Sequence, residues 1–407
     1  MKQAVSAVSG YVKPGFEPVR KAFVENFEHR HELGAACSVY YRGEKAVDLW
    51  GGVRNKDTGD PWEEDTMAIV ASATKGPAAM TIALAHSRGL LDYEACVSRY
   101  WPEFAQQGKE RITIRQLLAH QAGLYALDER IDVSVEADLD SLAVILARQR
   151  PAWEPGTTQA YHALTLGFYE SELLRRIDPK HRSLGHYFHE EIAEPLGLDF
   201  YIGLPEDIPN TRLARIHMPF HTGAAFKAPL RLILDVGNPR SRIRRALWGD
   251  LEDNDKERVY PRNVEVPSGG GIGTARALAK AYGVFANGGR ELGLREETLR
   301  QLAAPAVPPT RGFYDEVMRM EGMRFSLGFM KPGPEAPFSH PSGFGMLGFG
   351  GSFGFADPHA GVGFAYVPNM NDYYLMDPRQ DALRYATYRS IGETDPVLLG
   401  MEGSASA

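Results

Sequence analysis

The sequence predicts an α/β protein of the α+β kind, its sheet assembled from both chain ends around an inserted helical region. Three observations predict it. Short β-branched and aromatic runs open and close the chain. Helical periodicity dominates from about residue 77 to residue 290. No repeat of fixed period divides the chain. The boundaries that follow put a sheet domain at residues 1–85 and 265–407, and a mainly helical domain at 86–264.

The elements can be justified in order. Val19, Phe23 and Phe27 recur at helical spacing within residues 16–31, and Gly34 follows as a stop. Residues 36–41 and 45–50 flank Arg42-Gly43-Glu44 and read as a β-hairpin. Helices follow at 78–87, 114–119, 142–148, 164–176 and 275–286. The stretch 206–271, rich in Pro, Arg and Asp, is poorly periodic and reads as loops over the helical region. Residues 351–357 and 361–367 read as strands around Pro358-His359-Ala360, and 380–391 as a closing helix carrying Leu383, Ala386 and Tyr388.

Composition narrows the function classes. At 407 residues, 43% hydrophobic and 24% charged, the chain is an ordinary globular protein, not a disordered or fibrous one. Lys plus Arg number 45 against 52 Asp plus Glu, a net charge of -7, so no global positive field exists to hold nucleic acid or an anionic bilayer. Two cysteines, Cys37 and Cys96, cannot build a disulfide framework and fit a reducing compartment. The first 16 residues have no apolar core or cleavage site, and no run approaches the ~20 apolar residues of a membrane span. The reading is a cytoplasmic protein.

The chemistry begins at Ser72-Ala73-Thr74-Lys75. Residues three apart share one face of a helical turn, so the Lys75 amine can reach the Ser72 hydroxyl. A lysine can take or help take the serine proton once burial lowers its pKa. On its own the pattern arises on the order of once by chance in such a chain, and an N-cap serine followed by a solvated lysine would look the same. Pro77 disfavours helical geometry at Gly76, which makes the Ser72 turn kinked or separate from the helix behind it. Tyr161, in Tyr161-His162-Ala163, would ionise more easily beside a cationic Lys75 and act as general base; the alternative is a core tyrosine with a satisfied hydroxyl.

The glycine-rich segment 343–354 can offer a strand N–H as half of an oxyanion hole, or can be a bent strand. Inside it, Gly350-Gly351-Ser352-Phe353-Gly354 matches a G-x-S-x-G nucleophile elbow, but strand and turn residues follow where a helix is required, so Ser352 is read as a decoy nucleophile. His186 and His189 lack the partners of a metal site, Gly269-Gly270-Gly271-Ile272-Gly273 lacks the Lys-Ser/Thr of a phosphate loop and reads as a turn, and the Arg240 to Arg245 cluster reads as a solvated face.

In this order, these elements resemble the serine β-lactamase-like superfamily: class C β-lactamases, DD-peptidases and, most in texture, the family VIII carboxylesterases. Beyond the Ser72 and Tyr161 motifs, three segments agree: 114–124 (IRQLLAHQAGL), Glu194-Pro195-Leu196-Gly197-Leu198, and 269–275. The match spans residues 16 to about 391. The resemblance implies a mixed, mainly antiparallel sheet flanked by helices, an all-helical second region, and an active site between them. It implies Ser72, Lys75 and Tyr161 as the catalytic set. The oxyanion and substrate-binding set would be Ser72, Phe349, Gly348, Gly350, Gly351, Ser352, His162 and Phe344.

Two departures bear on the substrate. Ala163 stands where the family has an asparagine for the lactam side-chain amide. The Lys-Thr-Gly or His-x-Gly strand motif is Met346-Leu347-Gly348 or, in a shifted register, Phe349-Gly350-Gly351, so the cation for a lactam carboxylate is missing. The second oxyanion donor is the N–H of Phe349 in the first register or of Ser352 in the second, the first being preferred. The expected activity is two-step acyl transfer on short-chain carboxylic esters. Tyr161 would deprotonate Ser72, and no metal or organic cofactor would take part. Phe344, Phe349 and Phe353 would narrow the acyl side of the cleft. The competing readings are a β-lactamase or DD-peptidase, an acyltransferase on the same acyl-enzyme, and a silent binding protein. The expected partner is a small ester, with neither nucleic acid nor membrane.

Overall fold

The computed structural model of the chain describes residues 8–129, 131, 133–218, 238, 240–246, 259–372 and 376–393. The N-terminal strands are β1 (Ser9–Val12), β2 (Gly34–Tyr41) and β3 (Glu44–Gly52). Three short strands follow far apart in sequence: β4 (Ala68–Ile69), β5 (Phe200–Ile202) and β6 (Gly271–Gly273). The C-terminal strands are β7 (Arg324–Ser326), β8 (Phe329–Lys331), β9 (Phe344–Leu347), β10 (Phe353–Asp357) and β11 (Val362–Pro368). Among the described residues one sheet has the order β1-β3-β2-β11-β10-β9-β8-β7, and every pairing between these strands is antiparallel. The two chain ends meet at its centre, where Val39 of β2 lies opposite Phe364 of β11.

Period-2 alternation explains why both faces are buried. Ala35, Cys37 and Val39 join Val19 and Phe23 of the Glu17–His29 helix and Leu383 and Tyr388 of the Pro378–Ser390 helix in one apolar cluster. Ala36, Ala365 and Val367 face the Ala275–Ala286 helix in the other. Each large apolar side chain buried this way contributes roughly 1.5–3 kcal/mol. The second cluster continues into the helical part through the Lys75–Ser87 and Thr165–Ile177 helices, so the helical part and the sheet share one core around the Ser72 turn.

Several expectations are corrected. Residues 269–273, expected as a turn, include β6, which pairs with both β4 and β5 in a second sheet. Because β5 comes from residues 200–202, the second region is not all-helical. The last hairpin strand starts at Phe353 instead of 351, because Gly348 N–H donates to Ser352 O at 2.7 Å and Gly351 N–H to Gly348 O at 3.2 Å, closing a tight turn first. Of the stretch 206–271, residues 219–237, 239 and 247–258 lie outside the described residues, and the described part carries a helix at Arg242–Ala246. No helix among the described residues is long and apolar enough to cross a membrane.

Candidate active site

Ser72 sits in a 3₁₀ turn, Ala71–Thr74, that runs directly into the Lys75–Ser87 helix. Pro77 falls in the first turn of that helix, where its missing N–H costs nothing, and the serine turn is a separate piece before it. Ala71 enters the turn at φ 45°, a left-handed conformation costing an L-residue roughly 1–2 kcal/mol. Its neighbours hold it there. Val70 N–H donates to Gly271 O at 2.9 Å, Thr74 Oγ1–H to Ala71 O at 2.6 Å, and Gly271 N–H to Thr74 Oγ1 at 2.9 Å. Strain held this way at a half-buried serine makes the turn a candidate functional site.

Lys75 is fully buried. Its Nζ lies 2.6 Å from Ala163 O, 2.8 Å from Ser268 O and 3.4 Å from Ser72 Oγ. Loss of water lowers its pKa to about 7, against an opposing pull from Glu170. A neutral amine has two N–H bonds. Both serve the two carbonyls, which leaves the lone pair for the Ser72 hydroxyl.

The Tyr161 hydroxyl hydrogen-bonds Ser72, and its ring lies 4.9 Å from Lys75 Nζ. The ring is wedged between His120 at 5.0 Å and Phe325 at 5.6 Å. Burial pushes the phenol up, and the Asp315 charge adds to this; the bond to Ser72 opposes both without cancelling them. This corrects the expectation that Lys75 would make Tyr161 ionise easily. The same burial that raises the phenol lowers the Lys75 ammonium to about 7, so the two groups are shifted in opposite directions by one cause.

The wall behind Tyr161 contains residues that periodicity did not single out. Asp315 Oδ1 accepts the N–H groups of Tyr161, Val317 and Met318 at 3.2, 3.0 and 2.8 Å and so fixes the tyrosine backbone. Glu170, in the Thr165–Ile177 helix, is fully buried with no hydrogen-bond partner on either oxygen among the described residues, and burial raises it to about 8. Neither has a sequence signal of its own, since a carboxylate in an ordinary helix or loop looks solvated until the fold covers it. His120 belongs to the 114–124 segment without a role having been read for it. It adopts φ 59° and accepts His162 N–H on Nδ1 at 3.0 Å, so Nε2 carries the proton, and this buried N–H has no hydrogen-bond partner among the described residues.

Two expected substrate contacts are corrected. His162 is fully buried; Nε2 accepts Leu124 N–H at 3.1 Å and Nδ1–H donates to Ala160 O at 2.6 Å, so the ring braces loops and has no nitrogen left for a ligand. Phe344 is buried against Phe329 at 4.9 Å, and Phe353 is buried among Phe338, Phe355 and Phe364; both belong to the core and do not narrow a cleft. Of the three aromatics expected to do so, Phe349 is the exposed one, at 60%.

The glycine turn between β9 and β10 abuts the serine turn. A Cβ on Gly348 would lie 2.2 Å from Val70 O and 3.1 Å from Ala73 N. Gly350 and Gly351, at φ 92° and 106°, are instead backed by Asn371 and Asp377, which a Cβ would meet at 2.0 and 2.4 Å. The geometry therefore favours the register in which Met346-Leu347-Gly348 faces Ser72 and Phe349 N–H follows. It disfavours a ligand lying on Gly350 and Gly351. The Ser352 hydroxyl is buried and donates to Val70 O at 2.7 Å, pinning the two turns together, and no helix follows it.

The remaining motifs separate from the site. His186 Nδ1 is engaged with Ser183 Oγ at 2.8 Å while His189 stacks on Tyr201. The basic cluster is more than a solvated face: Arg242 pairs with Glu316, and Arg245 with Asp128 at 2.7 Å. Both cysteines are free thiols.

The Beta-lactamase family model matches residues 19–387. The chain is 36% identical over 372 residues to the esterase/beta-lactamase LipL of Mycobacterium tuberculosis, covering 89% of this chain and 83% of that one. The fold is similar to a solved family VIII carboxylesterase, with TM-score 0.79 and 36% identity over 94% of this chain and 100% of the other. It is also similar to a penicillin-binding protein homologue from Caulobacter crescentus, with TM-score 0.82 and 34% identity over the same shares.

Proposed function

Because the chain belongs to the Beta-lactamase family, we propose that it is a serine hydrolase of short-chain carboxylic esters that works through an acyl-enzyme on Ser72. The observation that carries this reading is the convergence of Lys75 Nζ and the Tyr161 hydroxyl on Ser72, beside a strand motif that begins with Met346, buried in the apolar core, where the family resemblance calls for a cation to hold a lactam carboxylate. A charged carboxylate left desolvated and unpaired there costs several kcal/mol that a neutral ester does not incur. The esterase names of LipL and of EstB from Burkholderia gladioli, 25% identical over 90% of this chain, support the ester class.

In the first step the Ser72 proton passes to the neutral Lys75 amine, directly or through the Tyr161 hydroxyl, as Oγ attacks the ester carbonyl. The N–H groups of Ser72 and Phe349 receive the oxyanion. The ammonium then returns the proton to the leaving alcohol, and water releases the acyl group by the reverse path. Tyr161 relays the proton as a phenol and is not a standing phenolate. The two-domain division at residues 86 and 264 belongs to the same reading, with Ser72 at the junction.

The name of LipL also favours a second reading, a β-lactamase on the same residues. One experiment separates them: kcat/KM for p-nitrophenyl acetate, butyrate and decanoate beside a chromogenic cephalosporin, with intact mass after a serine-reactive phosphonate. Ester turnover with label on Ser72, both lost in Ser72→Ala, is the expected result. Efficient cephalosporin turnover with little ester hydrolysis would favour the second reading. A preference for decanoate would remove only the short-chain claim.

A further inference from the structure

At the end of the large sheet away from Ser72, three segments remote in sequence bring together two imidazoles and a carboxylate. His340 precedes β9, His359 lies in the turn between β10 and β11, and Glu393 follows the Pro378–Ser390 helix, its N–H donating to Tyr388 O at 3.0 Å. One ligand atom from each of the three lies within 4.8 Å of the other two. The two rings are 4.2 Å apart between centroids.

Behind them stands Asp357, fully buried at the end of β10. Its Oδ2 accepts Nδ1–H of His340 at 2.8 Å, the His340 backbone N–H at 3.2 Å and the Tyr388 hydroxyl at 2.6 Å. Its Oδ1 accepts the N–H groups of His359 and Ala360 at 3.0 and 3.2 Å. The carboxylate therefore orients one histidine by its ring and the other by its backbone. With the His340 proton held on Nδ1, the lone pair is on Nε2, the arrangement by which a carboxylate prepares a histidine to ligate a metal.

We propose that His340, His359 and Glu393 bind one divalent transition-metal ion, with Asp357 as the orienting group. Two imidazoles and one carboxylate form a borderline N/O set that suits zinc and disfavours calcium or magnesium. Metal bonds of about 2.0–2.2 Å require these atoms to close to roughly 3.3 Å from one another. The exposed side chains of His359 and Glu393 can make that adjustment by rotation. The five residues of β10 separate this site from the glycine turn by about 17 Å at ~3.3 Å per residue, so the ion takes no part in acyl transfer. It clips the approach to β9, the β10–β11 turn and the end of the last helix to one another.

The test is titration of chelator-treated full-length protein with zinc chloride by calorimetry, with thermal unfolding in parallel and cobalt(II) absorption to report coordination. One ion per chain is expected, together with a rise of a few degrees in Tm. His359→Ala and Glu393→Gln, both at exposed positions, should weaken binding at least about 10-fold and abolish the Tm rise, while ester turnover stays at the wild-type rate. Absence of stoichiometric binding by the wild type would overturn the proposal. So would undiminished binding in both variants, since the ion would then sit on other surface histidines. Neither result depends on which substrate the Ser72 site takes.

Discussion

Lys75 reaches neutrality by enclosure, since the carbonyls of Ala163 and Ser268 take its hydrogens while water is kept from its Nζ. The amine must be neutral to accept the Ser72 proton, so kcat/KM should rise with pH through an apparent pKa near 7. Glu170 keeps its proton up to about 8, so the neutral isostere Glu170→Gln should leave this limb in place with kcat on the plateau little changed. A limb shifted to lower pH in a pH-rate profile would show that the carboxyl is ionised beside the amine. The same shifts carry a stability slope. Between about 7 and 10.5 the unfolded chain holds a Lys75 proton that the native protein has released, so this group makes stability rise with pH across that window. Glu170 acts oppositely from 4.5 to about 8, where the native protein keeps a proton that the unfolded chain has lost. In the proposed mechanism Lys75 and Tyr161 share one proton path. The double variant Lys75→Ala/Tyr161→Phe should therefore be scarcely slower than the worse single variant, whereas additive losses in kcat would mean two independent roles.

In the proposed mechanism the turn between β9 and β10 decides whether the oxyanion donors line up, and its residues divide the task. Gly348 is required by closeness, since a methyl group there would overlap Val70 O. Gly348→Ala should therefore lower kcat at least about 100-fold, the scale of losing one oxyanion donor, and lower Tm as well. Ser352→Ala removes one buried hydrogen bond, about 1 kcal/mol, and loosens the clasp on Val70. A several-fold drop in kcat at unchanged KM is expected, checked by steady-state kinetics beside thermal melts. An unchanged kcat would limit the hydroxyl to stability. The sequence showed that this segment was dense in glycine but not which glycine faced the serine, because the deciding contacts come from Val70, Asn371 and Asp377, each remote in sequence or hidden behind the turn. The Ser72 and Lys75 pair was legible because its spacing is local. Asp315 and Glu170 were not, because only tertiary burial distinguishes them from surface carboxylates.

Over the whole molecule, β2, β3, β10 and β11 of the large sheet were legible from β-branched and aromatic runs near the two chain ends, whereas the short β1, β7, β8 and β9 were not. The second sheet was not, since β4, β5 and β6 have only two or three residues each and no period can be read from them. Joining the ends at the centre of one sheet makes the fold all-or-none in chain length. A chain ending at residue 340 lacks β9, β10 and β11, leaving β2 paired with β3 alone and its other edge open. It should be digested by protease at the rate of an unfolded polypeptide, and a resistant N-terminal fragment would contradict this. The pairing of β2 with β11 also sets a schedule for synthesis. About 320 residues separate Tyr41 from Val362, so at ~5–20 residues per second the ribosome needs roughly 15–65 s between the two edges. Throughout that interval the β2–β3 hairpin has an open hydrogen-bonding edge rich in Ala, Val and Tyr, the kind of edge that recruits other nascent chains. Yield in the cell should therefore depend on chaperone supply and translation speed before it depends on the stability of the finished enzyme.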